Sequence, residues 1–322
     1  MLRSINLSLS SLCGADCIFC PTDTRGTRMR EKNMSFDIIE KIVNEISSDN
    51  FKQNHSIKKI EMGENGDAFF NKNFIRILRS IRTSLPEVFI HFNTNFQLMT
   101  PENTEIIIGE NLLNRVSCFV DGSTEFNYYN VKRINLEKVT NNIKNFIEKR
   151  DNSNSNIGVY LYVMSLNSYI HKCYSTFGFY PTKMKDKNLI KIPDDSKLVI
   201  DRFKKYLHTK KDNIRTYEPY FWAERDRAEV EIEKNNINYE GQFCPVLDMV
   251  YTGAFIAPDG SWYACCNDSN YDQVFGNVNN ETLDEIFNGK TRKDFLNKLE
   301  LKKFKELGGP CATVMCCHQA VV

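Results

Sequence analysis

Three cysteines fall within eight residues of the stretch Leu12-Cys13-Gly14-Ala15-Asp16-Cys17-Ile18-Phe19-Cys20-Pro21, spaced Cys-x3-Cys-x2-Cys. Three thiols in one short loop imply a metal. A structural zinc site closes with four ligands, usually as two Cys-x-x-Cys pairs. The next cysteine here is Cys118, inside an apolar run, so the fourth position is open. Thiolates also hold [4Fe–4S] clusters, and a cubane held by three of them keeps one iron free for a ligand of another kind. That arrangement suits catalysis rather than structure.

A second constellation comprises Cys244, Cys265, Cys266, Cys311, Cys316 and Cys317. Ala257-Pro258-Asp259-Gly260 reads as a turn, with proline presetting φ and glycine permitting a left-handed residue. Apolar runs at 249–256 and 262–265 flank it, so a β-hairpin is expected whose second strand carries cysteines. One four-thiolate cluster is the economical expectation, with six thiols available. If Cys265 and Cys266 lie on a strand they face opposite ways, and only one meets a given cluster. Cys316 and Cys317 pose the same choice, which the sequence leaves open. Zinc is the competing occupant.

The elements that must carry these thiols are legible from periodicity. Residues 4–10 alternate apolar and polar and feed the first cysteine loop. Ser35 can cap a helix carrying Ile39, Ile42, Val43 and Ile46. Residues 57–62, 88–92, 115–120, 158–164 and 213–217 are further strands. Helices are expected through Phe74, Ile77, Leu78 and Ile81, through Leu136, Val139, Ile143, Phe146 and Ile147, and over 198–208. Strands alternating with helices indicate an α/β fold with a parallel sheet. Six such units fall short of the eight of a closed barrel, so a partial (β/α)6 TIM-like barrel is expected, with a small C-terminal β-hairpin plus helix domain. The expected boundaries are 1–220 for the barrel, 221–243 for a linker and 244–322 for the cluster domain. The aromatic run 217–222 beside charges is expected either at a domain interface or lining the substrate cavity.

Charge is nearly balanced, with 42 Lys+Arg against 41 Asp+Glu. Nothing in that balance calls for nucleic acid or an anionic membrane. The first residues lack a signal-peptide pattern, and no apolar run reaches membrane-spanning length. Clustered thiols without a leader are expected in a reducing cytoplasm.

The Cys13, Cys17 and Cys20 spacing, with the aromatic Phe19 before the last cysteine, resembles the signature of the radical SAM enzymes. The resemblance implies that these three thiolates hold a [4Fe–4S] cluster whose free iron chelates S-adenosylmethionine, which is cleaved to a 5′-deoxyadenosyl radical. Further motifs resemble the family in order. The stretch with Gly63, Glu64, Gly66 and Asp67 is similar to its Gly-Gly-Glu segment, with Glu64 or Asp67 as the carboxylate. Thr94-Asn95-Phe96 resembles Thr-Asn-Gly, with Phe96 in the glycine position. Ser117, Asp121 and Arg133 resemble its fourth-strand Ser-x-Asp-Gly and downstream arginine, and Asn167 resembles a ribose contact. The C-terminal cysteines resemble the SPASM and twitch domains of such enzymes, without the full Cys-x2-Cys-x5-Cys-x3-Cys run of a complete SPASM domain. One auxiliary [4Fe–4S] cluster is implied, held by Cys244, Cys265, Cys311 and one of Cys316 and Cys317.

The expected activity is hydrogen-atom abstraction that oxidises a sugar, cyclitol or other small metabolite, with electrons from a flavodoxin or ferredoxin. Cys13 stands close to the start, which disfavours a preceding peptide-binding segment. The alternatives are a radical SAM peptide maturase that crosslinks or epimerises, with Cys266 or Cys317 as hydrogen-atom donor, and a non-catalytic iron–sulfur or zinc binding module.

Overall fold

The computed structural model describes residues 1–21, 33–164, 166–184, 189, 194–217 and 244–312. In chain order the first elements are β1 (Ser4–Leu7), α1 (Phe36–Ser47), α2 (Asp49–Asn54), β2 (Lys59–Met62), α3 (Phe74–Ser84) and β3 (Phe89–Asn93). Then follow α4 (Pro101–Gly109), β4 (Arg115–Phe119), α5 (Glu125–Lys132), α6 (Leu136–Asn152), β5 (Gly158–Val163), α7 (Leu166–Phe177), α8 (Ser196–Lys204) and β6 (Asn213–Thr216). The C-terminal part has α9 (Leu247–Thr252), β7 (Gly253–Ile256), β8 (Ser261–Tyr263), β9 (Val274–Asn277), α10 (Leu283–Asn288), α11 (Lys290–Glu300) and α12 (Phe304–Leu307). The contacts divide the chain into two compact units, one from 1–12, 25–89 and 225–322 and the other from 13–24 and 90–224.

In the first unit β1 is flanked by parallel partners on both edges, pairing Ile5 with Ile60 of β2 and with Ala254 of β7. A strand covered on both edges is buried, and Ile5 and Leu7 are inaccessible to solvent. The stripe Ile38, Ile39, Ile42, Val43 and Ile46 buries one face of α1, which Ser35 caps by accepting from the amide of Ile38. β7 and β8 form the expected antiparallel hairpin, with Gly260 at φ 85° in its turn. The apolar run 249–256 is not all strand, however. Its first half lies in α9, and the chain turns into β7 at Gly253, where a Cβ would stand 2.7 Å from the carbonyl of Met249. The C-terminal helices are tied to the start of the chain through His55. Its Nδ1 accepts from the amide of Leu2, leaving Nε2–H to donate to Asp284 at 2.8 Å.

In the second unit β3, β4, β5 and β6 pair in parallel in that order. The amphipathic α6 buries Leu136, Val139, Ile143, Phe146 and Ile147, as its period requires. Its last turn also buries Arg150, whose Nη1 and Nη2 donate to Asp212 at 2.5 and 3.0 Å. Asp212 Oδ1 accepts in turn from the amide of Val159 at 2.9 Å, so one carboxylate locks α6 to the start of β5. Three helices, α4, α5 and α7, stand where the periodicity gave no clear stripe.

Candidate active site

The first cysteine loop is held by α5. The amides of Asp16 and Ile18 donate to the carbonyls of Lys132 and Val131 at 3.0 and 2.9 Å. Those carbonyls close the helix, where they would otherwise lack partners. Between Cys17 and Cys20 the chain makes one turn, with the amide of Cys20 on the carbonyl of Cys17 at 3.0 Å. Cys13 is exposed, and Cys17 and Cys20 are half-buried. Asn95 Nδ2 donates to Cys13 Sγ at 3.5 Å, while its Oδ1 accepts from the amide of Gln97 at 2.9 Å. The third-strand motif therefore does reach the cysteine loop. Phe96 adopts φ 62°, the left-handed conformation that glycine favours, and its buried ring packs edge-on against Phe146.

Desolvation pushes the Cys17 thiol up to about 12, the neighbouring Cys20 and Cys13 thiols and Asp121 act in the same direction, and Lys132 opposes them. Cys13, Cys17 and Cys20 would hold an iron–sulfur core as thiolates, whose mutual repulsion the core's positive charge would offset and whose protons would leave on loading. Among the described residues no three Cys, His, Asp or Glu side chains already stand at ligand spacing.

Several motif residues have partners within the chain. Arg133 caps α5 in the left-handed region at φ 60°, and its guanidinium donates to Asn130 Oδ1 at 3.2 Å and to the carbonyl of Lys183 at 3.3 Å. The buried cation next to the cysteine loop is instead Lys132. Its Nζ is 3.0 Å from Asp121 Oδ2, and it lies 5.3 Å from the ring centroid of Phe19. Asp121 is thus committed to Lys132 and to the amide of Met164, at 2.8 Å. Ser117 Oγ is 2.7 Å from His91 Nε2, a partner that sequence reading missed. Phe19 packs edge-on against Tyr169, and Asn167 lies in the first turn of α7. A signal for Lys132 was present, since it stands four residues after the buried Tyr128 and shares its helix face.

In the first unit, the segment after β2 turns back through two glycines, Gly63 at φ 94° and Gly66 at φ 72°. A Cβ on Gly66 would lie 2.4 Å from the carbonyl oxygen of Ser10 and 2.6 Å from that of Leu12. The next residue, Asp67, is buried; its amide donates to the Leu12 carbonyl at 2.8 Å and its Oδ1 accepts from the amide of Phe69. That carboxylate is spent on capping the 3-10 turn Ala68–Phe70. Glu64 has a different setting. Desolvation, with Glu61 adding to it and Lys59 opposing, pushes its carboxyl up to about 8. Sequence reading also missed a set of hydroxyls in this unit: Tyr263 OH is 3.1 Å from Ser8 Oγ, and Asn65 Nδ2 donates to Tyr271 OH at 2.9 Å. Glu64, Tyr271 and Cys266 all raise the Tyr263 phenol, after burial itself, so they share one neighbourhood.

The C-terminal thiols sit in the same unit. Cys265 and Cys266 lie beyond the end of β8, in a turn, so strand alternation does not separate them; burial does, Cys265 being enclosed and Cys266 half-buried. Buried Asp268 organises this turn by accepting from the amides of Asp272 and Gln273, both at 2.9 Å. Gln273 in turn donates to the carbonyl of Leu307, four residues before buried Cys311. Cys244 is half-buried. Cys316, Cys317 and most of the aromatic run 217–222 lie outside the described residues.

Comparison with known proteins places these observations. The chain is similar in fold to the crystal structure of BtrN in complex with AdoMet and 2-DOIA, at 12% identity over 97% of this chain and 92% of that one, TM-score 0.55. It is similar to Streptococcus suis SuiB bound to S-adenosylmethionine, at 14% identity over 92% and 68% of the two chains, TM-score 0.58. For native anSMEcpe with bound AdoMet the figures are 14%, 98%, 88% and 0.55. The expected α/β class with a partial barrel agrees with this likeness. No curated protein matches the chain. A family model described as an iron-sulfur cluster-binding domain, SPASM, matches residues 244–318, which brings an auxiliary iron–sulfur cluster to the C-terminal thiols. The model of the radical SAM superfamily matches residues 7–169, half of the chain, and with its [4Fe–4S] cluster and S-adenosylmethionine this protein belongs to that superfamily.

Proposed function

We propose that this enzyme oxidises a carbinol carbon of a small polyhydroxylated metabolite, a sugar or cyclitol. The observation that carries this reading is the half-buried Glu64 carboxyl in the electrostatic neighbourhood of Tyr263, whose hydroxyl pairs with Ser8. Such a site offers donors and acceptors to a hydroxylated ligand and an acceptor for the proton its alcohol must lose. In this reading Cys13, Cys17 and Cys20 hold the first cluster, and Cys244, Cys265, Cys311 and one of Cys316 and Cys317 hold the auxiliary one. When bound, these groups supply a 5′-deoxyadenosyl radical for the hydrogen atom and an acceptor for the remaining electron. The chain then orients the alcohol and takes its proton at Glu64. Asp67, buried and capping, is left to support the glycine turn. A cytoplasmic flavodoxin or ferredoxin fits as the reductant. BtrN, similar in fold over nearly the whole of both chains, was crystallised with 2-DOIA.

Cys266 supports a second reading. Half-buried and in the electrostatic neighbourhood of Tyr263, its thiol would return a hydrogen atom to a carbon radical in this reading, which gives epimerisation and suits a peptide substrate as well as a sugar. SuiB was crystallised with its precursor peptide SuiA.

The test is anaerobic turnover with sugars and cyclitols deuterated at each carbinol carbon, and with Cα-deuterated peptides. Deuterium is expected in 5′-deoxyadenosine from one carbinol position, with carbonyl product. Because the Glu64 pKa is raised, the group is neutral below about 8 and accepts a proton only above it. Product formation therefore rises with pH through that range, and Glu64→Gln loses the rise. Deuterium transfer from peptide alone, or product with solvent deuterium at the reacting carbon, excludes simple alcohol oxidation.

A further inference from the structure

Lys132 is buried, as is its partner Asp121, with side-chain exposures of 5% and 0%. A buried ion pair is seldom the most stable filling of such a space, since two charges leave water and an apolar pair of similar volume often does as well or better. The pair meets the cysteine loop through its cation, which lies over the ring of Phe19. The ammonium is sandwiched by two rings, 5.3 Å from the centroid of Phe19 in the loop and 5.4 Å from that of Phe119 at the end of β4. Asp121 holds it there, fixed by the Met164 amide on its other oxygen. The Asp121 carboxylate, 3.0 Å from Nζ, favours the charged form of the amine. The loop also hangs on the carbonyls of Lys132 and Val131, the negative end of α5, so without the ammonium it would meet only partial negative charge there.

We infer that Lys132, fixed by Asp121, is a positioning residue that sets the reduction potential of the cluster held by Cys13, Cys17 and Cys20. The inference rests on that ligand assignment. Reduction from the 2+ to the 1+ state adds one electron, and so one negative charge, to the cluster. A desolvated cation nearby favours the reduced form, charge and burial being among the factors that set such potentials. Removing the cation disfavours it; removing the anion that partly cancels the cation favours it.

The experiment is an EPR-monitored dithionite titration of the reconstituted full chain as wild type, Lys132→Met, Lys132→Arg, Asp121→Asn and Cys17→Ala. Met keeps the length and apolar stem of lysine, and Asn keeps the shape of aspartate and its acceptor for the Met164 amide. At a fixed potential, Lys132→Met is expected to lower the ratio of reduced to oxidised cluster about tenfold, about 59 mV for a one-electron couple. Lys132→Arg should stay close to wild type and Asp121→Asn should shift in the opposite direction. Shifts of opposite sign from the two halves of one pair do not follow from general damage to the fold. An unchanged midpoint in Lys132→Met and Asp121→Asn, at wild-type iron content, overturns the inference alone. If the signal that S-adenosylmethionine perturbs persists in Cys17→Ala, the ligand assignment falls and the inference with it.

Discussion

Arg150→Ala lowers the free energy of unfolding by about 3–5 kcal/mol, the loss typical when one partner of a buried ion pair is removed. The guanidinium is fully enclosed, and four of its contacts are fixed: two to Asp212, one to Asp151 at 2.8 Å and one to the carbonyl of Ile157 at 3.2 Å. Truncation leaves Asp212 buried with its Val159 and Thr209 amides but without its cation. Asp212→Ala is expected to lose a similar amount by stranding the arginine. The double variant Arg150→Met/Asp212→Leu, which removes both charges, should recover most of the loss, because the penalty lies in the unpaired charge. Urea unfolding of the three variants checks this. Additive single losses in the double variant would show that the pair contributes through shape and hydrogen bonds instead.

Gly66→Val is the second large effect, and it acts on both stability and cofactor loading. The residue sits at φ 72°, where a side chain costs about 1–2 kcal/mol. Its Cβ would also fall against backbone, at 2.4 Å from the Ser10 carbonyl and 2.6 Å from that of Leu12, and backbone cannot swing aside as a side chain can. Overpacking of this kind costs about 1–3 kcal/mol more. The displaced segment runs straight into Cys13. We therefore expect Gly66→Val to be destabilised by about 2–5 kcal/mol and to take up less iron at the N-terminal site, while Gly178→Ala, with open space around its Cβ, keeps wild-type iron. Iron analysis after anaerobic reconstitution decides the matter. Full iron content in Gly66→Val would mean that the loop tolerates the shift.

The repeating elements were legible because burial imposes a period on sequence. The stripes of α1, α3 and α6 and the hairpin turn at Gly260 follow that rule. The run 249–256 was not, since an apolar segment of eight residues has no period that separates helix from strand, and only the close approach at Gly253 shows where one gives way to the other. At the candidate site the spacing singled out the three cysteines and Asn95, whose Nδ2 meets Cys13 Sγ, and Phe96 stands in a glycine position with a glycine-like φ. The side-chain assignments were less so. Lys132 and Arg133 are adjacent in sequence, but helix geometry buries the first and turns the second to Asn130 and Lys183. Likewise Glu64 and Asp67 differ by one turn of chain, and only the hydrogen bonds show that Asp67 is already a cap. The Ser8, Tyr263 and Tyr271 cluster joins residues more than two hundred positions apart, and no local pattern announces it.

The most direct test of the central claim is iron and sulfide content together with 5′-deoxyadenosine release under dithionite, for the reconstituted chain and its Cys13/Cys17/Cys20→Ala variant. Two cubanes predict about eight irons per chain falling to about four, with nucleoside release lost in the variant. A variant that keeps its full iron and still releases 5′-deoxyadenosine would contradict the account.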